Sequence, residues 1–338
     1  MIDLPAAEIE KWFGHQFLDE RFRKESYDLL ESFIQDGRGK WQGAAPTERI
    51  VKEFEQLVAN MDDKAFGFLL THTGYIPETY EHDSSEETLF SKLIEVLVGS
   101  WATRIGFSAT VLPTAKSSVE DVTISDGVHL IVCDAKSFRL GRSQKAPNVK
   151  DALKQGDILK WLERHQEGIR LGGLVTFPSQ HDWSSGSDVY QYLTDKSSPI
   201  TMLFYEHLSL MLLVGGAKGH IVTYFKNHAN LFPKSISKSE KNRDAYYTIL
   251  HRELVSRNSD DWKGFYPAAD FIIRERVSHA VSSLRSHLTE IESEVAADVA
   301  AMAEEDLRKE LIQARTSLRC MRLARQIDNI GRVRATLN

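Results

Sequence analysis

Cysteine is scarce in this sequence, whose 338 residues include only Cys133 and Cys320. Two thiols are too few for a disulfide framework or a cysteine-ligated zinc cluster, and they fit the reducing conditions of a cytoplasm. No apolar run reaches the ~20 residues that a membrane-spanning helix needs. No signal peptide opens the chain. These absences exclude disulfide-stabilised and membrane-spanning classes and predict a cytoplasmic protein.

The sequence also has no excess of positive charge. Its formal net charge is −6, so any binding to nucleic acid must depend on a local basic surface. The glycine-rich stretch over residues 215–219 does not have the spacing or the Ser/Thr of a phosphate-binding P-loop, so a helicase is not indicated. The remaining composition, 42% hydrophobic and 27% charged, is typical of a globular protein with one large domain or two smaller ones.

A β-hairpin is the strongest local pattern in the chain. Val122 and Ile124 close one apolar run, Asp126-Gly127 is a turn dipeptide, and residues 129–133 form a second apolar run. Strands joined by so short a turn pair antiparallel. The pattern therefore predicts two adjacent strands whose far ends meet on the side opposite the turn.

Three charged side chains lie at that far end of the predicted hairpin. Because side chains alternate along a strand, Asp134 and Lys136 emerge on one face. Asp121 lies toward the start of the partner strand, and antiparallel pairing would bring it close to Asp134. Two carboxylates and an ammonium group in this arrangement predict a divalent-metal site with a lysine beside it.

This combination suits the hydrolysis of phosphodiesters. Carboxylates hold Mg²⁺ and leave its other positions to water and to substrate phosphate. The ion polarises the phosphoryl oxygen and promotes formation of a nucleophile, and a neighbouring lysine stabilises the developing charge. An isolated Asp-x-Lys is common and is usually a solvated strand end. The prediction of a nuclease therefore depends equally on the hairpin, on Asp121 and on the basic segment that follows.

The segment after the hairpin is the most basic stretch flanking the predicted site. From Lys136 to Arg164 it has eight Lys or Arg against three Asp or Glu. Arginine and amide side chains read base edges, whereas lysine contacts phosphate, so a loop over 137–148 and a helix over 149–164 are predicted to bind DNA. The alternative is a solvated, charged helix. The candidate contacts are Arg139, Arg142, Ser143, Gln144, Lys145, Asn148 and Lys150.

The rest of the chain reads as helices around short strands. We predict an N-terminal helical region over residues 1–73, a catalytic core over 74–262 and a C-terminal helical region over 263–338. Apolar runs at 172–177 and 200–204 predict two further strands. The C-terminal region repeats apolar residues in steps of three and four, which is typical of a coiled-coil seam and most often reflects packing within one chain. That stripe begins with Val281, Leu284, Leu288, Ile291 and Val295.

A helix is predicted to begin after Ser84 and to continue to about Ile105. Ser84 is a suitable N-cap, and Glu86 and Glu87 fall in the first turn, where the helix dipole favours carboxylates. Capping alone explains both glutamates. The alternative is that one of them reaches the metal cluster from this helix.

The residues of the hairpin resemble a known nuclease signature. Asp121 followed by Asp134-Ala135-Lys136 resembles the PD-(D/E)xK motif, with Glu120 at the position of the proline. The stretch Asp134-Ala135-Lys136-Ser137-Phe138-Arg139-Leu140 is similar to that of the HindIII-type type II restriction endonucleases. Three flanking blocks resemble the same family in order: Ile76-Pro77-Glu78, the helix start over 87–92, and Glu206-His207-Leu208. The resemblance extends from about Gly74 to Gly215, under half of the chain.

This resemblance implies an α/β (α+β) fold with a restriction-endonuclease-like core of a mixed β-sheet flanked by helices, extended by helices at both termini. It implies a homodimer that cleaves double-stranded DNA at a short palindromic site with Mg²⁺, leaving 5′-phosphate and 3′-hydroxyl ends. Asp121 and Asp134 would hold the metal with the Ala135 carbonyl, Lys136 would orient or activate water, and Glu87 would support the cluster. A cognate DNA methyltransferase is expected as a genetic partner that protects the host.

Two other functions remain compatible with these residues. A repair or recombination nuclease would keep the fold and the chemistry but would act on damaged or branched DNA. A DNA-binding protein with a degenerate metal site would bind without cutting, although the intact Asp121, Asp134 and Lys136 argue against degeneracy. Cleavage of intact duplex into discrete fragments distinguishes the restriction endonuclease from both.

Overall fold

The hairpin predicted around Asp126-Gly127 forms in the structure, a computed structural model. Residues 122–125 pair antiparallel with residues 130–133. Asp126 Oδ1 accepts hydrogen bonds from the backbone N–H groups of Val128 and His129, at 2.9 and 2.7 Å. Gly127 has a φ of 86°, a conformation that glycine adopts without strain. The turn therefore fixes the register of the two strands from one end.

The structure describes residues 3–38, 45–111, 119–141, 149–178, 185–194, 199–232, 241–258 and 260–335. In these residues the strands are β1 (Tyr75–Ile76), β2 (Ser108–Val111), β3 (Val122–Ser125), β4 (His129–Ala135), β5 (Phe138–Arg139), β6 (Ile169–Phe177) and β7 (Ile200–Phe204). Five of them form a mixed sheet in the order β2-β3-β4-β6-β7. The β2–β3 and β3–β4 pairs are antiparallel, and the β4–β6 and β6–β7 pairs are parallel. The short strands β1 and β5 pair separately in parallel.

Helices precede, flank and follow this sheet. The early ones are α1 (Ala6–Phe13), a 3-10 helix (His15–Leu18), α2 (Glu20–Arg38), α3 (Thr47–Ala59), α4 (Asp63–His72) and α5 (Ser85–Arg104). The later ones are α6 (Val149–Leu153), α7 (Gln155–Arg164), α8 (Val189–Leu193), α9 (Tyr205–Val214), α10 (Ala217–Leu231), α11 (Arg243–Leu250), a π-helix (His251–Val255), α12 (Asp261–Ala301) and α13 (Glu304–Ala335). This mixed sheet flanked by helices confirms the predicted fold class. None of the described helices is both long and apolar enough to cross a membrane.

Helices α5 and α7 cover opposite faces of the sheet. A Cβ built on Gly99 of α5 would lie 3.9 Å from Val122, which pairs with Cys133 of β4. A Cβ built on Gly173 would lie 2.2 Å from Ile158 of α7, and Gly173 pairs with Val132. Because Val132 and Cys133 are consecutive in a strand, their side chains point to opposite faces. The sheet is therefore buried on both sides.

Helix α9 starts directly where β7 ends and is anchored to the helices around it. The indole of Trp101 in α5 donates to the carbonyl of Leu208 at 2.9 Å, and the Ser209 hydroxyl donates to the carbonyl of Gly67 in α4 at 2.7 Å. Both contacts are buried. They fix the first turn of α9 at the carboxyl edge of the parallel strands.

The single helix predicted over residues 149–164 is in fact two helices, so that prediction was wrong in detail. Lys154 separates α6 from α7 and adopts a left-handed conformation with φ 43° and ψ 44°. Neither proline nor glycine marks this break in the sequence. A non-glycine residue in this region is strained, so surrounding packing must maintain it.

The chain forms two compact units, Met1–Ala280 and Val281–Asn338. Within the second unit, the apolar stripe predicted to be packed is largely exposed: Leu288 is 58% and Leu318 is 73% accessible. Packing within one chain was the expected use of this stripe. The described part of the structure does not bury it, so that expectation was wrong.

The close approach of β6 to α7 predicts a strong effect of one methyl group. Gly173→Ala should lower the free energy of unfolding by about 1–3 kcal/mol, because the new Cβ would meet Ile158 at 2.2 Å. Gly156→Ala, in α7 with open space around the position, is the matched control and should be neutral or stabilising by up to ~1 kcal/mol. Denaturant unfolding measures both variants, and equal small effects would contradict the packing described here.

Candidate active site

Two aspartates lie close together at the end of the β3–β4 ladder. The ladder ends with the pair Val122 and Cys133, and Asp121 and Asp134 are the next residues along the two chains. Asp121 N donates to the carbonyl of the same Cys133 at 3.0 Å, which holds Asp121 at the end of the ladder. Ala135 N donates to Asp121 Oδ2 at 2.8 Å. The structure thus brings together the two carboxylates that the hairpin pattern predicted to meet.

The predicted lysine lies beside the same pair. Lys136 Nζ is 2.5 Å from Asp134 Oδ2, and Asp134 is only 3% exposed. Because the ammonium group is held against a buried carboxylate, its position is set by the strand end and not by free rotation in solvent. The geometric part of the prediction, two carboxylates and a lysine at one strand end, matches the structure.

Burial and repulsion dominate the electrostatics of this pair. The pKa of Asp121 is raised to about 7, chiefly by burial and then by the negative charge of Asp134. The hydrogen bond from Ala135 N and the charge of Lys136 act in the opposite direction but do not compensate fully. The site therefore favours additional positive charge between the two aspartates.

A third carboxylate that sequence reasoning missed lies close to this pair. Glu95 of α5 is 6% exposed and forms an ion pair with Lys92, one turn earlier on the same helix. The pKa of Glu95 is raised to about 8, chiefly by burial and then by the charge of Asp121, while Lys92 acts in the opposite direction. The aspartates and Glu95 therefore share one electrostatic environment. A signal did exist in the sequence, because Glu95 interrupts an otherwise apolar stretch of the helix.

Glu87, the residue expected to support the cluster, makes a different set of contacts. Its Oε1 lies 3.1 Å from Nη2 of Arg139, and its Oε2 accepts a hydrogen bond from Asp83 N at 2.7 Å. Ser84 Oγ accepts from Glu87 N at 3.2 Å, so the predicted N-cap is present. Glu87 and Glu95 are eight residues apart, about 12 Å along a helix. Glu87 therefore lies in the first turn, next to the N-cap Ser84, whereas Glu95 interacts electrostatically with the aspartates.

Arg139 is buried and its guanidinium is directed into the protein. In addition to Glu87, it donates to the carbonyls of Pro77 and Tyr80 at 3.0 and 2.8 Å. Only 8% of the residue is exposed. These contacts hold the segment before α5 against β5. In this structure Arg139 stabilises that segment and is not presented to a ligand, which differs from the DNA contact expected of it.

The remaining expected DNA contacts cannot all be placed. Arg142, Ser143, Gln144, Lys145 and Asn148 lie outside the described residues. Lys150 is exposed on α6. Their role as a group therefore stays a prediction.

The carboxylate at the position of the motif's proline is held by two neighbours. Glu120 is 7% exposed, and its Oε1 accepts a hydrogen bond from Thr123 Oγ1 at 2.8 Å. The same oxygen is 2.5 Å from Nε2 of His165, directly after α7. Glu120 thus connects the start of β3 to the end of α7.

The donors at the strand end fit a hard divalent cation. Two carboxylates, Asp121 and Asp134, are available together with the carbonyl of Ala135. Among the residues that the structure describes, no three acidic, histidine or cysteine side chains are arranged as a ready-made metal cage. Mg²⁺ does not require one, since it is commonly held by one or two carboxylates with water and phosphate completing its shell. The buried, mutually repelling pair is consistent with such an ion.

Comparison with known proteins agrees with this chemistry. The sequence model of the HindIII restriction endonuclease family matches residues 43–317, which is most of the chain. No curated protein matches the sequence.

The raised pKa of Asp121 predicts that this residue destabilises the fold above neutrality. Between its ordinary value of 3.8 and about 7, the folded protein binds more protons than the unfolded chain, so stability falls as pH rises through this range. Asp121→Asn removes the effect while keeping an oxygen for Ala135 N. At pH 8 without divalent metal, the variant should gain on the order of 2 kcal/mol, measured by denaturant unfolding, and the gain should vanish near pH 4.

Asp126→Asn is the matched control in the same hairpin and should have the opposite sign. Burial disfavours the charge of Asp126, but the hydrogen bonds from His129 and Val128 outweigh it and hold the pKa of Asp126 below its ordinary value. The charged form therefore stabilises the fold above that ordinary value, and the asparagine variant should be less stable at pH 8. Shifts of the same sign in both variants would contradict this electrostatic description.

Proposed function

Because the chain belongs to the HindIII restriction endonuclease family, we propose that it cleaves both strands of double-stranded DNA at a short palindromic site. Family membership makes it a nuclease that binds DNA, acts on its phosphodiester bonds and uses a divalent metal. The proposed metal is Mg²⁺, and the proposed products carry 5′-phosphate and 3′-hydroxyl ends. The observation that supports this most directly is the grouping of Asp121, Asp134 and Lys136 at one strand end.

We assign the metal to Asp121, Asp134 and the Ala135 carbonyl. When bound there, a divalent ion polarises a phosphoryl oxygen and increases the acidity of water. Lys136 is held next to Asp134 and would orient the attacking water or stabilise the charge that develops on the phosphate. The hydrogen bond from Ala135 N directs Asp121 toward Asp134, so both carboxylates are prepared before substrate arrives.

We assign the supporting role from α5 to Glu95 and not to Glu87. Glu95 interacts electrostatically with both aspartates, whereas Glu87 is paired with Arg139. Lys92 neutralises Glu95 in the buried interior, which limits the free-energy cost of burying a third carboxylate. The Lys92–Glu95 pair would then adjust the charge of the site when metal and phosphate bind.

Cleavage of a palindrome implies a symmetric enzyme. A site with two-fold symmetry is matched by a dimer with one active site for each strand, so the proposal includes a homodimer. A specific endonuclease would also attack the genome of its host. We therefore propose a restriction-modification system with a cognate DNA methyltransferase as genetic partner, acting in the cytoplasm.

Incubation with unmethylated phage DNA tests the function directly. In Mg²⁺ the purified protein should give discrete fragments on a gel, and EDTA should abolish them. Sequencing of the fragment ends identifies the site, the stagger and the terminal groups together. A smear would instead indicate a repair or recombination nuclease. Binding without any cleavage in Mg²⁺ would overturn the proposal in favour of a DNA-binding protein.

Lys136→Ala should reduce the single-turnover cleavage rate by about 10²–10³-fold, because a positioned cation at the phosphate is lost. Binding to the cognate duplex in Ca²⁺, measured by fluorescence anisotropy, should be retained. Lys64→Ala is the matched control, since Lys64 lies in α4 and donates to the backbone carbonyl of Lys11. A Lys136→Ala enzyme that cleaves at the wild-type rate would contradict the assigned role.

Glu95→Gln and Glu87→Gln form a matched pair on the same helix. Glu95→Gln should slow single-turnover cleavage by at least ~10-fold, because it changes the charge next to the aspartates. Glu87→Gln should weaken the contact with Arg139 and lower thermal stability, with little effect on the cleavage rate at saturating Mg²⁺. The reverse result would return the supporting role to Glu87.

A further inference from the structure

A tyrosine distant from the motif in sequence contacts the backbone of Lys136. Tyr205 is the first residue of α9, and its hydroxyl donates a hydrogen bond to the carbonyl of Lys136 at 2.7 Å. The side chain is fully buried. This is therefore an internal contact made by a residue 69 positions away along the chain.

The Tyr205 hydroxyl supplies a hydrogen-bond partner for a backbone carbonyl at the end of β4. Lys136 is the residue after β4, and its N–H is still paired, donating to the Thr176 carbonyl of β6 at 2.9 Å. Tyr205 supplies the partner for the carbonyl of the same residue. The hydroxyl of Thr176 also lies 3.4 Å from the Tyr205 hydroxyl. Both backbone polar groups of Lys136 are thus fixed by elements outside its own hairpin.

The ring of Tyr205 cannot easily move away from this position. Gly74, directly before β1, has a φ of 94°, and a Cβ built there would lie 2.6 Å from Cε2 of the Tyr205 ring. The carbonyl of Gly74 in turn accepts a hydrogen bond from Phe138 N at 2.8 Å. The ring therefore lies against Gly74. Gly74 is in turn hydrogen-bonded to Phe138, two residues after Lys136.

The chemistry of the buried phenol suits a permanent donor. Burial raises the pKa of Tyr205 well above its ordinary value, so the hydroxyl is protonated at neutral pH and can donate. A donor that stays protonated at neutral pH can hold the carbonyl oxygen of Lys136. By contrast, a water molecule at this place could exchange.

We propose that Tyr205 is a positioning residue for Lys136: its hydrogen bond to the Lys136 carbonyl holds the backbone in the conformation that places Nζ beside Asp134. The inference rests on the proposed function insofar as Lys136 acts in cleavage. Tyr205, the first residue of α9, would then influence the reaction although it contacts neither metal nor substrate. The β7–α9 junction thereby becomes part of the active-site scaffold.

Tyr205→Phe tests the proposal by removing one hydroxyl and leaving the ring. The single-turnover rate at saturating Mg²⁺ should fall by about 10-fold or more, whereas the dissociation constant for cognate DNA in Ca²⁺ and the Mg²⁺ concentration for half-maximal rate should stay unchanged. This pattern is expected because the lysine is displaced while the carboxylates are not. A merely structural role would instead lower stability without a selective loss of rate.

Tyr246→Phe is the matched control for this experiment. Tyr246 is also fully buried, and its hydroxyl accepts a hydrogen bond from the backbone of Met202 in β7 at 3.1 Å, away from Lys136. Its removal should affect thermal stability to a similar extent but leave the cleavage rate unchanged. A Tyr205→Phe rate equal to that of the wild type or of Tyr246→Phe would overturn the proposal.

Chemical labelling separates this inference from the proposed function. An amine-reactive reagent followed by mass spectrometry measures the accessibility of Lys136 without any need for cleavage. Labelling of Lys136 should increase in Tyr205→Phe and stay at the wild-type level in Tyr246→Phe. If the wild type cleaves no DNA, the proposed function fails, but increased labelling would still support the positioning role. Unchanged labelling would contradict it.

Discussion

The pairing of β3 with β4 is the constraint on which the site depends. The end of this ladder brings Asp121 close to Asp134 in a largely buried place, where two like charges repel strongly because little water screens them. The aspartates cannot separate without breaking the hydrogen bonds that tie Asp121 to the backbone of Cys133 and Ala135 in β4. The surrounding donors, Lys136 beside Asp134 and Ala135 N on Asp121, therefore act as partial compensation. A divalent cation would neutralise the remaining negative charge. The repulsion between the two aspartates and their capacity to bind a metal ion therefore have the same cause.

The ion pair between Lys92 and Glu95 on α5 adds one positive and one negative charge to the buried cluster. With Glu95 and Lys92 included, three carboxylates and two ammonium groups leave one negative charge in excess when all are ionised. Such a cluster is costly to bury in a purely structural core, since apolar residues of similar size would pack there at lower free energy. Its presence is better explained by binding, because a site that must accept both a cation and a phosphate needs charges of both signs nearby.

Much of this arrangement could be predicted from the sequence, for reasons that are local. Alternation along a strand and the Asp126-Gly127 turn were sufficient to place Asp121, Asp134 and Lys136 together. The break at Lys154 could not be predicted, because no proline or glycine marks it and tertiary packing imposes the left-handed conformation. The contact between Tyr205 and Lys136 could not be predicted from the sequence either, because it depends on the packing of α9 against α4 and α5.

The proposed choice of Glu95 over Glu87 rests on contacts between distant parts of the chain, which a local sequence pattern does not show. Glu87 has every sequence mark of a functional or capping carboxylate, and in the structure it lies in the first turn of α5, accepts a hydrogen bond from Asp83 N and binds Arg139. Glu95 has no motif around it, but it lies on a helix segment that is buried on all sides, where an ionisable group is costly without a partner. The informative signal is thus a charged residue where burial forbids one, and Lys92 one turn earlier is the compensation that makes it tolerable. For this helix, the buried pair of Lys92 and Glu95 is therefore the basis on which we propose that this face of α5 supports the site.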